Sequence, residues 1–131
     1  MGIASVLFRP GLHYRRELFH SGLRKLRYKI IDGPASHPGP EDVLVLWNRF
    51  PRDEQTAKLY EKVGARVLVT ENGYIGSDEK GQKIFAISRN QHNGAGSWLE
   101  GDPGRWEKMN VDLKPWRKNG DQLLLLPQRG F

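Results

Sequence analysis

The chain contains no cysteine. That absence removes disulfide cross-links, thiol nucleophiles and every cysteine-built zinc site. It fits a reducing compartment, and a cytoplasmic location is the expectation. Long apolar runs are also missing. Nothing approaches the roughly 18–20 residues of a membrane span, so none is expected. The apolar start, Ile3 to Phe8, has no basic lead and is too short for the core of a signal sequence, so it reads as a first strand. Several nucleotide and hydrolase motifs are absent as well: there is no GxGxxG, no P-loop and no GxSxG elbow. No Asp-x-Asp pair stands ready to hold a metal-bound sugar nucleotide. His13, His20, His37 and His92 lack the spacing of metal ligands, and His13 and His20 lie about two turns apart on one helix. No metal and no cofactor are expected.

A length of 131 residues suits one domain with a real core. The formal charge of +6 favours phosphate-rich partners, whether nucleic acid or sugar nucleotides, and fits simple solubility equally well.

The organising stretch is residues 42–76. It opens with Val43-Leu44-Val45-Leu46, passes through a polar helical pattern, and reaches a second run at Val67-Leu68-Val69. Short β-branched runs separated by a helix predict a parallel β-α-β unit. Around it, strands are expected at 3–8, 28–31, 43–46, 65–70, 83–88 and 123–126. Helices are expected from Leu12 to Leu26, from Pro51 to a cap at Gly64, and from Asp102 to about Met109. Arg15, Arg16, Arg24 and Lys25 mark a basic helix face that reads as solvated. Residues 33–42 are rich in Pro and Gly, which predicts an extended connection. The fold expected is α/β: a three-layer Rossmann-like domain with a mostly parallel sheet.

In such sheets ligands bind beyond the carboxyl ends of the strands, where three polar clusters are expected. Asn48-Arg49 can bind a carboxylate or phosphate, the guanidinium by its planar fork; equally it is a strand-end Asn beside a surface Arg. Glu71-Asn72-Gly73-Tyr74 offers a general base or a partner for a sugar hydroxyl; equally, Glu71 caps a turn and Asn72-Gly73 supplies positive φ. Asn90-Gln91-His92-Asn93-Gly94 packs donors and acceptors beside glycine, which lets backbone approach a ligand; a lone loop His is more often a surface residue. The chain closes with four leucines and Pro127-Gln128-Arg129-Gly130, again a strand followed by polar groups. Trp47, Trp98, Trp106 and Trp116 suit core packing, or stacking on a sugar or base.

The pattern VLVLWNR, a helix, then GARVLVTENGYIG resembles the first Rossmann-like half of glycosyltransferases with the two-domain GT-B fold. Capsule-polysaccharide transferases of the β-Kdo type are the nearest comparison. They carry Glu-Asp-Gly-Phe where this chain has Glu71-Asn72-Gly73-Tyr74, so the second acid is replaced by Asn72. The sequence is also similar to phage and bacterial glycosyltransferase-like proteins in which WNR, ENGY, HNG and PQRG recur. The resemblance spans roughly residues 42–130. It implies binding of a nucleotide sugar or glycan. His92 is a further catalytic candidate, and Asn72, Asn90, Gln128 and Arg129 are ligand-binding candidates from their own clusters, with Arg49 and Arg129 steadying phosphate. The resemblance makes Glu71 the acid/base residue and Asn48, Arg49, Tyr74, His92 and Asn93 ligand contacts. It also implies a second half, from a partner chain or a second copy. A non-enzymatic sugar- or nucleotide-binding module and a basic nucleic-acid-binding domain are the alternatives.

Overall fold

A computed structural model describes residues 1–9, 13–77, 80–81, 83–92, 95–97, 101, 103–116 and 118–120. Backbone contacts divide the chain into two units, residues 1–101 and 102–131. The first holds β1 (Ile3–Leu7), α1 (His13–Lys25), β2 (Lys29–Asp32), β3 (Val43–Trp47), a 3-10 turn (Pro51–Asp53) leading into α2 (Glu54–Lys62), β4 (Arg66–Ser77) and β5 (Lys83–Arg89). These form one five-stranded sheet in the order β2-β1-β3-β4-β5. The first four strands are parallel and β5 runs antiparallel to β4. The class is therefore α/β with a mostly parallel sheet.

Every residue of β3 is buried, which is why it reads as an unbroken apolar run: a central parallel strand is covered on both faces. The edge strand β2 exposes Lys29 and Asp32. Alternation along the strands feeds two cores. Leu44, Leu46, Val67 and Val69 pack with Ala57 and Tyr60 of α2. Ala4, Val6, Val43, Val45 and Trp47 pack with Leu23 of α1. Phe8, Phe19, Trp47 and Phe85 extend the second core through ring contacts with centroids 5.2–6.0 Å apart.

Local chemistry sets the boundaries. Phe50 is extended because the residue before proline is driven out of the helical region, and Pro51 opens the turn that leads into α2. Gly64, at φ +78°, closes α2 in the left-handed conformation. The Pro/Gly-rich segment is a pinned connection. The Tyr60 hydroxyl hydrogen-bonds Ser5 Oγ at 2.6 Å and accepts the Ala35 N–H at 2.9 Å. Buried Asp42 accepts the N–H groups of Ile3 and Gly39 at 2.6 and 2.8 Å.

One expected boundary is wrong. β4 does not stop at Thr70 but continues to Ser77, so Glu71-Asn72-Gly73-Tyr74 lies inside a strand and not in a turn after one. The cause is pairing with β5: Glu71 faces Ala86, and Asn72 faces Phe85. Neither Asn72 nor Gly73 has positive φ. A side chain at Gly73 would press on Ile84, at about 3.0 Å from its carbonyl oxygen.

In the second unit, α3 (Gly104–Lys108) is the one helix among the described residues, and Trp106 and Trp116 are exposed. The strand expected at 123–126 lies outside the described residues. No helix among them is long and apolar enough to cross a membrane.

Candidate functional site

β1 leads through α1 to β2 on one side, while β3 leads through α2 to β4 on the other. Neighbouring parallel strands whose connections depart in opposite directions leave a crevice beyond their carboxyl ends. Here that point is the β1/β3 boundary.

Asn48 is the first residue past β3. Its φ of +57° turns the chain sharply, a conformation Asn tolerates better than most residues. Its N–H donates to the Thr70 carbonyl at 2.8 Å, and Thr70 Oγ1 donates to the Leu46 carbonyl at 2.8 Å. The end of β3 is thus stitched to β4, one residue before half-buried Glu71. Among the described residues, Asn48 Oδ1 is buried without a hydrogen-bond partner. Such an atom costs roughly 1–3 kcal/mol unless something donates to it.

Two residues not singled out by sequence complete this end. The guanidiniums of Arg9, just past β1, and Arg52 lie 4.7 and 5.3 Å from the ring centre of Phe50. Both arginines are exposed, so they present positive charge at the crevice while stacking on an aromatic face. The signal in the sequence was position alone: Arg9 follows an apolar strand as Asn48 does.

Arg49 goes elsewhere. Its Nε donates to Glu54 at 2.8 Å and its Nη1 to Glu61 at 2.6 Å, and the Asn90 carbonyl accepts from Nη1 as well. Nη2 meets both carboxylates, at 3.1 and 3.2 Å. The side chain is 3% exposed. The Glu61 and Glu54 carboxylates raise the guanidinium's pKa further, and Arg49 in turn holds the Glu54 carboxyl below its usual range. This is a clamp joining β3, both ends of α2 and the segment after β5. Its donors are spent inside the fold.

The third cluster is displaced. Because β5 is antiparallel, its carboxyl end lies beside the start of β4, with Arg89 opposite Leu68. Asn90, at φ +67°, donates its N–H to the Val67 carbonyl at 2.9 Å. Val67 precedes Glu71 by four residues, roughly 13 Å along a strand. Asn48 and Glu71 are therefore brought together, while Asn90 and His92 belong to the other end of β4. The loop is closed by paired backbone bonds between Arg89 and Ser97, at 3.0 and 3.1 Å. Gly96 is required there, since a Cβ would run into the Gln91 carbonyl and Ser88. His92 Nδ1 is buried without a partner among the described residues. Asn72 is exposed within β4, and Tyr74 lies in the same strand. Asn93, Gln128 and Arg129 lie outside the described residues. No described group of three or more His, Asp or Glu is placed to hold a metal ion.

No protein-family model, curated protein or solved structure matches the chain. The chemistry of the carboxyl-end crevice therefore carries the functional argument.

Proposed function

We propose that this chain is a glycosyltransferase-like domain, three-layered and Rossmann-like, that binds a sugar or nucleotide sugar at the β1/β3 crevice. The observation that carries the reading is the buried Asn48 Oδ1 at the carboxyl end of β3, without a partner among the described residues, two positions before Phe50 with its stacked guanidiniums and bonded through its backbone to Thr70, the residue before Glu71. A sugar hydroxyl supplies the donor that Asn48 lacks. Arg9 and Arg52 replace Arg49 as the groups that steady phosphate. In a transfer reaction, Glu71 takes the proton of the acceptor hydroxyl. That oxygen bonds to the anomeric carbon, and the donor's glycosyl–phosphate bond breaks, its electrons leaving with the nucleotide. A partner chain or second copy supplying further donor contacts fits this reading, as does a cytoplasmic setting.

A thermal-shift panel of nucleotides and nucleotide sugars tests it, because a ligand selective for the folded state raises the melting temperature. The expected result is a stabilising nucleotide sugar whose effect falls in Arg9→Gln and Arg52→Gln. Glu71→Gln should keep binding and lose transfer. An unresponsive panel transfers support to a nucleic-acid-binding reading. That alternative has its own observation: Trp116 is 93% exposed within Lys114-Pro115-Trp116-Arg117-Lys118. Aromatics interleaved with cations suit single-stranded nucleic acid, and such binding weakens steeply with added salt.

A further inference from the structure

The chain carries three Asn-Gly pairs: Asn72-Gly73, Asn93-Gly94 and Asn119-Gly120. This dipeptide has a chemistry of its own. A glycine nitrogen, uncrowded by any side chain on its residue, attacks the carboxamide carbon of the asparagine before it. The backbone decides whether it does so. The asparagine must turn its side-chain carbon toward the next nitrogen, and that nitrogen must not be held elsewhere by a hydrogen bond.

The fold treats the pairs differently. Asn72 stands opposite Phe85 in the β4–β5 ladder, and Gly73 follows it within β4. In a strand the side chain stands off the sheet while the N–H groups lie in its plane. Attack there requires the ladder to open. Gly73 also packs so closely that an added Cβ would lie 3.0 Å from the Ile84 carbonyl oxygen. Asn93-Gly94 lies outside the described residues. Asn119 and Gly120 belong to the second unit, where both are exposed and in neither helix nor strand. Among the described residues, neither makes a hydrogen bond. Nothing described lies within 4 Å of where a Gly120 Cβ would stand, so ring closure meets no obstruction.

We infer that Asn119-Gly120 is a site of spontaneous deamidation, and that the β4–β5 ladder protects Asn72-Gly73 from the same reaction. The Gly120 nitrogen bonds to Asn119 Cγ and gives up its proton. The Cγ–Nδ2 bond breaks, and that nitrogen leaves as ammonia. Water then opens the resulting succinimide at either carbonyl, leaving aspartate or, with the main chain rerouted through Cγ, isoaspartate. Water is the one co-reactant. Because the attacking nitrogen reacts deprotonated, the rate rises with pH. Each event replaces a neutral amide with a carboxylate beside Lys118, and the formal charge of +6 falls by one unit. The segment that bears Lys114, exposed Trp116 and Lys118 thus loses positive charge with age. The site lies outside the unit that holds the crevice and does not depend on its assignment.

The test is peptide mapping by mass spectrometry of the full chain, incubated at mildly alkaline pH with and without urea. The expected result in the folded chain is an amide-to-acid mass change that accumulates in the Asn119 peptide, in both aspartyl and isoaspartyl forms. The Asn72 peptide should change at least about tenfold more slowly, which needs only about 1.4 kcal/mol of opening free energy in the ladder. Urea should bring Asn72 up to the rate of Asn119 and leave Asn119 nearly unchanged. Gly120→Val should suppress the reaction by crowding the attacking nitrogen. Gly120 is not in the left-handed region and has open space around it, so that variant remains folded. An intact Asn119 overturns the inference, and so do equal rates at the two pairs in the folded chain. An Asn72 that stays slow in urea overturns protection by the ladder. An unchanged rate in Gly120→Val overturns the succinimide route.

Discussion

Arg49 offers the sharpest separation between a ligand contact and a structural clamp. Replacing it with Gln keeps a polar side chain but removes the charge and the fork that spans Glu54 and Glu61. Hydrogen bonds to charged groups contribute roughly 1.5–3 kcal/mol each, and those sharing one guanidinium do not add. Removing one partner from a fully buried ion pair costs about 3–5 kcal/mol. The stranded carboxylates here are not fully buried, at 35% and 30% exposed, so water recovers part of the loss. The expected destabilisation is about 2–3 kcal/mol, toward the lower side of those ranges. For a unit of this size that lowers the melting temperature by roughly 10 °C. Arg49→Lys should cost about half as much, because an ammonium satisfies one carboxylate but not both in fork geometry. Calorimetry on the unliganded chain reads both variants. The clamp assignment fails if Arg49→Gln melts within about 2 °C of the wild type while binding of an anionic ligand is lost.

The same clamp sets an acid response. The Glu54 carboxyl is held low by Arg49, so its contribution is complete above the unfolded carboxylate pKa of about 4.3 and is lost as pH falls through the lower folded value. Melting temperature measured against pH should drop more steeply in wild type than in Arg49→Gln across that window. Tyr60→Phe removes the hydroxyl shared by Ser5 and Ala35 but leaves the Ala35 N–H donating to Ser5 Oγ at 3.2 Å, so it should cost about 0.5–1.5 kcal/mol by urea denaturation; a neutral result would contradict the buried network. Asn48→Ala and Asn48→Gly both remove the amide whose Oδ1 is unpartnered among the described residues, but only alanine is strained in the left-handed region, so the glycine variant should be the more stable of the two by about 1–2 kcal/mol. Equal losses in the two would show that the side chain, and not the backbone turn, sets stability there. Gly96→Ala should loosen the 89–97 loop, read as faster amide exchange at Arg89 and Ser97.

The strands and helices of the sheet were legible because burial imprints itself on composition. Val43–Trp47 is covered on both faces and reads as a run; Pro51 and Gly64 mark the two ends of the α2 segment. The extension of β4 was hidden for the opposite reason. Past Thr70 the strand has lost β3 and pairs with β5 alone, so no continuous apolar run records it. Arg49 was legible in principle: Glu54 and Glu61 are seven residues apart, which places them on one side of a helix, within reach of an arginine entering it. That signal competed with the expectation that polar residues after a strand face a ligand, and the nearer carboxylates won.

Strand direction decides which polar residues can share a ligand. The five residues between β4 and β5 are too few for a parallel crossover, which needs a dozen or more, so a hairpin follows from chain length alone. Once β5 runs backward, whatever follows it must emerge at the amino end of β4, and His92 goes with it. Grouping Asn48, Glu71 and His92 by the rule that polar residues after strands converge therefore joins two ends of one strand. Applying the same rule only to the parallel strands selects Arg9 after β1 and Asn48 after β3. Those are the residues at the crevice, beside the start of the β4 extension that carries Glu71. Asn90 nevertheless touches the first group indirectly, because its carbonyl receives the Arg49 guanidinium. That link from the His92 loop runs through a side chain anchored to two carboxylates. A substitution at His92 should accordingly alter crevice binding less than one at Arg9, and isothermal titration of both variants against the same nucleotide sugar would decide the point.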